Sequence, residues 1–276
     1  MPFDIAPAVD AALGLPSRRP ATIVFASARY LDLLWNWIGH AERAGAANVL
    51  IVALDQATHH AVTSRGIACA RLPGIASREE LWVARAVLFS ALADAGLDFI
   101  HSDADAIWLA SPAREAFAPR ADIAFSSGTV WPKPVAKRWG FVVCCGFFAA
   151  RGTRATAALF AEVAERVKTL RDDQIAVNEV LVAAGVRWAD NAPSELRSWL
   201  GVPFRIFPRA ILGEAPGLSV ALLPHARFSR LPEVSAATLV AHPLALRVPG
   251  KSGPERLPAV LDRLGLWRPQ ANAAAA

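Results

Sequence analysis

The chain has 276 residues, 54% of them hydrophobic and 19% charged, which is enough for one sizeable core and near the size at which chains divide into domains. Its 17 Gly and 20 Pro exclude a collagen-like or low-complexity chain, and the low charge excludes extended disorder. Lys and Arg exceed Asp and Glu by five but are scattered singly, so the excess is weak evidence for a nucleic-acid stripe and fits a small anionic substrate equally well; no nucleic-acid partner is expected. The most apolar uncharged stretch, Phe141 to Ala150, is far short of the ~20 residues that cross a bilayer. The N-terminus carries Asp4 and Asp10 and lacks the basic-then-apolar layout of a secretory signal. No transmembrane segment and a cytoplasmic location are therefore expected. Cys69, Cys144 and Cys145 have neither CxxC nor zinc spacing and read as buried free thiols.

From Ala21 onward, short apolar runs alternate with longer amphipathic stretches, the pattern of an α/β sheet flanked by helices. Residues 1–20 are expected to be an N-terminal extension, 21–267 one domain, and 268–276 a disordered tail. Thr22 to Ala26 is the first buried strand, and a helix from Leu31 to Ala44 stops at Gly45. Val49 to Leu54 is the second strand; a short helix to Arg65 leads to a third, Ile67 to Leu72, stopped by Pro73. Ser77 and Glu80 have capping-box spacing for a long helix to Ala95, with strand four at Asp98 to His101. Asp122 to Ser127 reads as a strand, Gly128 to Gly140 as a surface loop, and Phe141 to Ala150 as a buried strand. Gly146 within it marks a bulge or the close approach of a ligand to the backbone. Helices follow from Arg151 to Lys168 and from Asp172 to near Gly185; beyond Asn191 the chain is rich in Pro, Gly and Arg, with short strand-like pieces such as Leu218 to Leu223 and Thr238 to Ala241.

In such sheets ligands sit beyond the carboxyl ends of the strands, so the residues after strand four carry the most information. They read HSDADAIWLASP. If the extended conformation persists, Asp103 and Asp105 point to one face, and two converging carboxylates suit a divalent cation. An Asx-type turn at the strand end is the alternative.

The ordered set of Tyr30-Leu31, Arg85, SDADAIWLASP, CGFFAAR, DDQIAVNEVL and AHPLALRVPGKSGPERL resembles the nucleotide-diphospho-sugar transferase family, of GT-A type and related to glycosyltransferase family 77. The resemblance covers Thr22 to Trp267 and makes 21–267 a GT-A domain. It implies a mixed, mostly parallel central sheet with helices on both faces. It also implies a metal-dependent glycosyltransferase that moves a hexosyl or pentosyl group, with retention, from a nucleotide-diphosphate donor, a UDP-sugar foremost, to a hydroxyl acceptor. By the same resemblance Asp103, Asp105 and His242 hold the cation, and Arg85, Asp103, Asn178 and Lys251 serve the donor. Asp173 and Gln174 act at the sugar, with Asp172 as helix N-cap. An imidazole beside two carboxylates favours Mn²⁺ over Mg²⁺, with affinity falling below pH ~6.5, the unperturbed histidine value. A nucleotidyltransferase, a nucleotide-sugar hydrolase or a non-catalytic binding module on the same fold is the alternative. The Trp131 to Trp139 and Pro193 to Pro208 segments, with Trp188 and Trp199, leave sugar stacking and ordinary packing both open.

Overall fold

Alternating apolar positions in short strands drive the architecture, because each strand presents successive side chains to opposite faces of a sheet. The computed structural model describes residues 3–16, 20–128, 130–189, 192–199, 201–231, 234–244 and 255–268. Helix α1 (Ala6–Leu13) precedes β1 (Ala21–Ala26), α2 (Leu31–Arg43), β2 (Val49–Ala53), α3 (Gln56–Thr63) and β3 (Cys69–Arg71). Then come α4 (Arg78–Asp94), β4 (Phe99–Ser102), β5 (Ile107–Trp108), α5 (Ala113–Ala116), β6 (Ile123–Ser127), α6 (Lys133–Trp139) and β7 (Val143–Ala150). The chain continues through α7 (Arg154–Leu170), α8 (Asp173–Ala183), β8 (Arg187–Trp188), β9 (Glu195–Trp199) and β10 (Val202–Ile206). It ends with β11 (Ile211–Ala215), β12 (Leu218–Leu222), β13 (Phe228–Ser229), β14 (Val240–Ala241) and α9 (Arg256–Arg263).

Nine strands form one sheet in the order β3-β2-β1-β4-β7-β6-β12-β11-β8. From the pairings, β7 and β11 run against the other strands. This is the mixed, mostly parallel sheet expected. Ile23, Leu50, Val52, Phe99, Phe125 and Phe148 pack on one face with α1, α4, α7 and α8. Val24, Ile51, Ile100, Phe147 and Ala149 pack on the other with α2, α3 and α9. Two smaller pieces complete the described fold: a hairpin of β9 and β10, and a three-stranded sheet in the order β13-β14-β5. Helix α1, within the N-terminal extension, buries Ala8 and Ala12 in the first face. At the other end, Asn36 and His40 of α2 hydrogen-bond the carbonyl of Leu266 at 3.1 Å each, and the Arg268 backbone N–H donates to Asn36 Oδ1 at 2.6 Å.

The capping box at Ser77 and Glu80 forms, with each partner satisfying a backbone N–H of the other. Gly128 to Gly140, expected as a surface loop, instead carries α6. Pro132 and Pro134 fall where helix N–H groups have no internal partner, so proline costs little there, and Gly140 closes the helix at φ 79°. The third strand is shorter than expected and starts at Cys69. The helix expected from Arg151 begins after Thr153, whose hydroxyl accepts the Thr156 N–H. Only Val240 and Ala241 of the expected last strand pair.

Candidate active site

The site lies at the carboxyl end of β4, built outward from a buried arginine. Arg85 is in the middle of α4 and 7% exposed, so it is no solvated helix residue. Its Nη1 is 3.4 Å from Asp103 Oδ1 and 3.6 Å from Asp173 Oδ2, and its Nη2 donates to the Cys145 carbonyl at 3.3 Å and to His101 Nε2 at 2.6 Å. A guanidinium can only donate, so His101 Nε2 accepts. His101 Nδ1 then carries the proton and donates to the Ile23 carbonyl at 3.0 Å. Burial and Arg85 both press His101 down to about 4, which keeps this imidazole neutral. The sequence reading missed His101; its place two residues before Asp103 on a strand was the available signal.

Asp103 and Asp105 do converge, although not as an extended segment. The chain turns after Ser102, with the Ala106 N–H donating to the Asp103 carbonyl at 3.0 Å. The indole N–H of Trp37 lies 3.1 Å from both the Ser102 hydroxyl and the Ala106 carbonyl, and that of Trp108 donates to Ser102 Oγ at 3.2 Å. The Asp103 N–H donates to the Gly146 carbonyl at 2.7 Å. The turn is thereby held from three sides. Burial opposes the charge of Asp103, but Arg85 holds the carboxyl well below the usual carboxylate range.

His242 arrives from the far end of the sequence directly after β14, which pairs antiparallel with β5 immediately after the Asp turn. Its Nε2 is 3.3 Å from Asp105 Oδ1, and its Nδ1 is 3.9 Å from Cys144 Sγ. Burial and Arg230 oppose protonation, but Asp105 and the Cys144 contact outweigh them and raise His242 to about 9. Asp103, Asp105 and His242 each offer one ligand atom, all within 4.8 Å of one another. Gly146 is what lets them meet. The register of β7 against β6 shifts between Phe125 and Ser126, the irregularity its glycine foreshadowed. A Cβ at Gly146 would lie 2.0 Å from His242 Cε1 and 2.7 Å from Asp103 Oδ2. The expected close approach at this glycine is made by the site's own side chains.

Asp172 caps α8, its carboxylate accepting the Ile175 N–H at 2.8 Å, and Asp173 follows at the first helical position. Burial pushes Asp173 up to about 6 despite Arg85. Gln174 follows Asp173 on α8, and its Nε2 donates to the Trp131 carbonyl at 2.9 Å. Asn178, expected at the donor, is fully buried: its amide accepts the Val143 N–H at 2.9 Å and donates to the Val143 and Gln174 carbonyls at 2.9 and 2.7 Å. Asn178 therefore ties α8 to β7 rather than facing a ligand. Lys251 lies outside the described residues. Trp188 packs edge to face against both Trp139 and Phe141, which lie tilted against each other; this is ordinary packing, whereas Trp131 is half exposed.

Fold and site together define an α/β protein with a cation-suited Asp-Asp-His cluster at the carboxyl edge of its sheet, the edge where such sheets bind nucleotides. Residues 44–253 match the family model described as nucleotide-diphospho-sugar transferase, and the chain belongs to that family. A search of curated proteins returns no match. Among solved structures, an active-site mutant of LgtC is 13% identical, covering 88% of this chain and 95% of that one with a TM-score of 0.47. The galactosyltransferase LgtC with donor and acceptor sugar analogs is 14% identical, covering 57% and 69% with a TM-score of 0.41. Mouse xyloside xylosyltransferase 1 is 11% identical, covering 60% and 81% with a TM-score of 0.38. Two further glycosyltransferases are larger: the alignments span 37% of the bifunctional WbbM and 43% of GlyE from Streptococcus pneumoniae TIGR4. Among the described residues no helix is long and apolar enough to cross a membrane.

Proposed function

We propose that the protein is a divalent-cation-dependent glycosyltransferase that moves a sugar from a nucleotide-diphosphate donor, a UDP-sugar foremost, to a hydroxyl acceptor with retention of anomeric configuration, acting in the cytoplasm. The observation that carries the reading is the convergence of Asp103, Asp105 and His242 within 4.8 Å in a chain of this family. The donor set fits a cation: two carboxylates supply hard oxygens, and an imidazole biases the choice toward Mn²⁺ over Mg²⁺. When bound, the cation would neutralise the charge that develops on the leaving diphosphate.

The chain's own residues have distinct tasks. The buried Arg85 balances the charges of Asp103 and Asp173 and fixes the carboxylate of the former. His101 holds Arg85 in place without adding charge. Asp173, at the opening of α8, steadies the donor sugar, with Gln174 beside it; Lys251 is assigned to the diphosphate on the resemblance alone. The acceptor oxygen bonds to the anomeric carbon on the face the leaving group vacates. The anomeric carbon–phosphate oxygen bond breaks, and the acceptor's proton passes to the departing diphosphate. Asp173 is engaged with Arg85 at 3.6 Å, which favours a charge-steadying role over that of an inverting base.

A thermal-shift panel of nucleoside diphosphates and nucleotide sugars, each with and without Mn²⁺, tests this reading, because a ligand that binds the native state raises its melting temperature. Mn²⁺-dependent stabilisation by UDP and UDP-sugars is expected. Stabilisation independent of Mn²⁺, or none, would refute it.

A further inference from the structure

Helix α6 is anchored on one side and bare on the other. Val135 is buried, Trp139 packs against Phe141 and Trp188, and the helix lies against α8. Its outer side is Lys133, Pro134, Lys137 and Arg138, all exposed, and residues four apart are neighbours on a helix surface, so the three cations share one face. The helix contains no acidic residue, and among the described residues no carboxylate lies within 4.0 Å of these cations. Lys137 and Arg138 in the last turn suit the helix dipole, but Lys133 in the first turn opposes it, so helix stability does not account for the row.

An exposed apolar side chain stands at each end of this row. Trp131, two residues before the helix, is 50% exposed. At the other end the Arg205 N–H donates to the Gly140 carbonyl at 2.6 Å, which fastens β10 to the end of α6. Leu196 is the cross-strand partner of Arg205, on the same face of the hairpin, and is 70% exposed, the most exposed large hydrophobic side chain among the described residues. The hairpin's one acidic residue, Glu195, is paired with Arg197 at 3.0 Å. Cations of one sign between a bare indole and a bare leucine match the layers of an anionic bilayer surface: lipid headgroups meet the ammonium and guanidinium groups, and the indole and leucine enter the boundary with the acyl chains. A nucleic acid would satisfy the cations and leave Leu196 in water. The patch also adjoins the candidate active site, since Gln174, which bonds the Trp131 carbonyl at 2.9 Å, directly follows Asp173.

We propose that the outer face of α6, with Trp131 and Leu196, docks the protein on an anionic lipid surface. The proposal stands on the patch and is independent of the transferase reading. Co-sedimentation of the full chain at physiological ionic strength tests it, with vesicles of phosphatidylcholine alone and of an equal mixture of phosphatidylcholine and phosphatidylserine. Binding to the mixed vesicles and not to phosphatidylcholine alone is expected. Each cation near such a surface strengthens binding roughly fivefold, so Lys133→Ala and Lys137→Ala should each lose about that factor, and the triple variant Lys133→Glu, Lys137→Glu, Arg138→Glu should lose far more. Trp131→Ala combined with Leu196→Ser should weaken binding roughly threefold or more. The control reverses three exposed cations on α2, α5 and α7, Arg43→Glu, Arg114→Glu and Arg154→Glu, which changes net charge equally and should leave binding in place. Melting curves establish that each variant is folded; the single alanine variants carry the test if the triple is not. No vesicle binding, equal binding to phosphatidylcholine alone, binding that the α6 variants leave intact, or equal loss in the control would overturn the proposal. Binding of duplex RNA by the same face with vesicles left unbound would overturn it in favour of a nucleic acid.

Discussion

Replacing Gly146 by alanine tests whether the approach of His242 to the Asp turn is what makes the site. The added Cβ would sit 2.0 Å from His242 Cε1, 2.7 Å from Asp103 Oδ2 and 2.8 Å from His242 Nδ1. Ordinary contact begins at 3.4 Å, so the imidazole must retreat by about 1.4 Å. It has little room, because its own backbone N–H is bonded to Ser229 and its carbonyl accepts from Arg230 Nη1 at 3.1 Å. Overpacking of this kind costs about 1–3 kcal/mol, a drop of roughly 2–10 °C in Tm for a domain of this size. Displacing one of three ligands should in addition weaken Mn²⁺-dependent UDP binding about 10–100-fold, the range seen when a ligand's orientation is disturbed. Gly213→Ala is the control. There the Cβ would lie 2.8 Å from Trp188 Cε3 and Val186 Cγ1, so it should lose comparable stability with Mn²⁺-dependent binding unchanged. Calorimetry of UDP with Mn²⁺ and melting curves on both variants decide the matter. If Gly146→Ala keeps full Mn²⁺-dependent affinity, or loses no more than Gly213→Ala, the three residues do not act as one cation site.

The two aspartates should differ when truncated. Asp105→Ala is expected to abolish Mn²⁺-dependent UDP binding in calorimetry with the fold intact, whereas Asp103→Ala should also lose stability, by about 1–3 kcal/mol, because it removes one of the two carboxylates that balance buried Arg85. Asp173→Asn should reduce turnover far more than UDP affinity, as an interaction made mainly in the transition state does, and it should remove any rise in kcat through pH ~6, where this carboxyl ionises; equal losses in kcat and affinity would make it a binding residue. For His242, the sign of the pH effect follows from its raised value of about 9: the imidazole must shed a proton to bind a cation, so Mn²⁺ affinity should climb about tenfold per pH unit between pH 7 and 9. The threshold then lies well above the ~6.5 of an isolated imidazole. Mn²⁺ titrations over that range showing a flat response, or the same slope in His242→Gln, would contradict it.

Much of the fold was legible because its signals are local. The apolar runs of β1, β2, β4 and β7, the Ser77–Glu80 box and the glycine stops depend on neighbours within a few residues. So does the prominence of Asp103 and Asp105, which rests on their position after a buried strand. Helix α6 was hidden because proline reads as a breaker unless one knows that it occupies the first turn. The four strands from β8 to β11 are short, several are half exposed, and their pattern is too weak to read without the partners they pair with. Long-range placement was the tertiary structure's alone. The amino-acid order could offer His242 as a ligand only by resemblance; the pairing of β14 with β5 puts it 3.3 Å from Asp105. It could name Asn178 but not show that burial would spend its amide on the Val143 backbone. It gave no sign that His101, which looks like any strand residue, would be locked neutral between Arg85 and a carbonyl. Sequence determines local geometry and which side chains have chemistry to offer. Protonation, the number of free lone pairs and the meeting of groups 139 residues apart, Asp103 and His242, are set by burial and by neighbours that only the folded chain supplies.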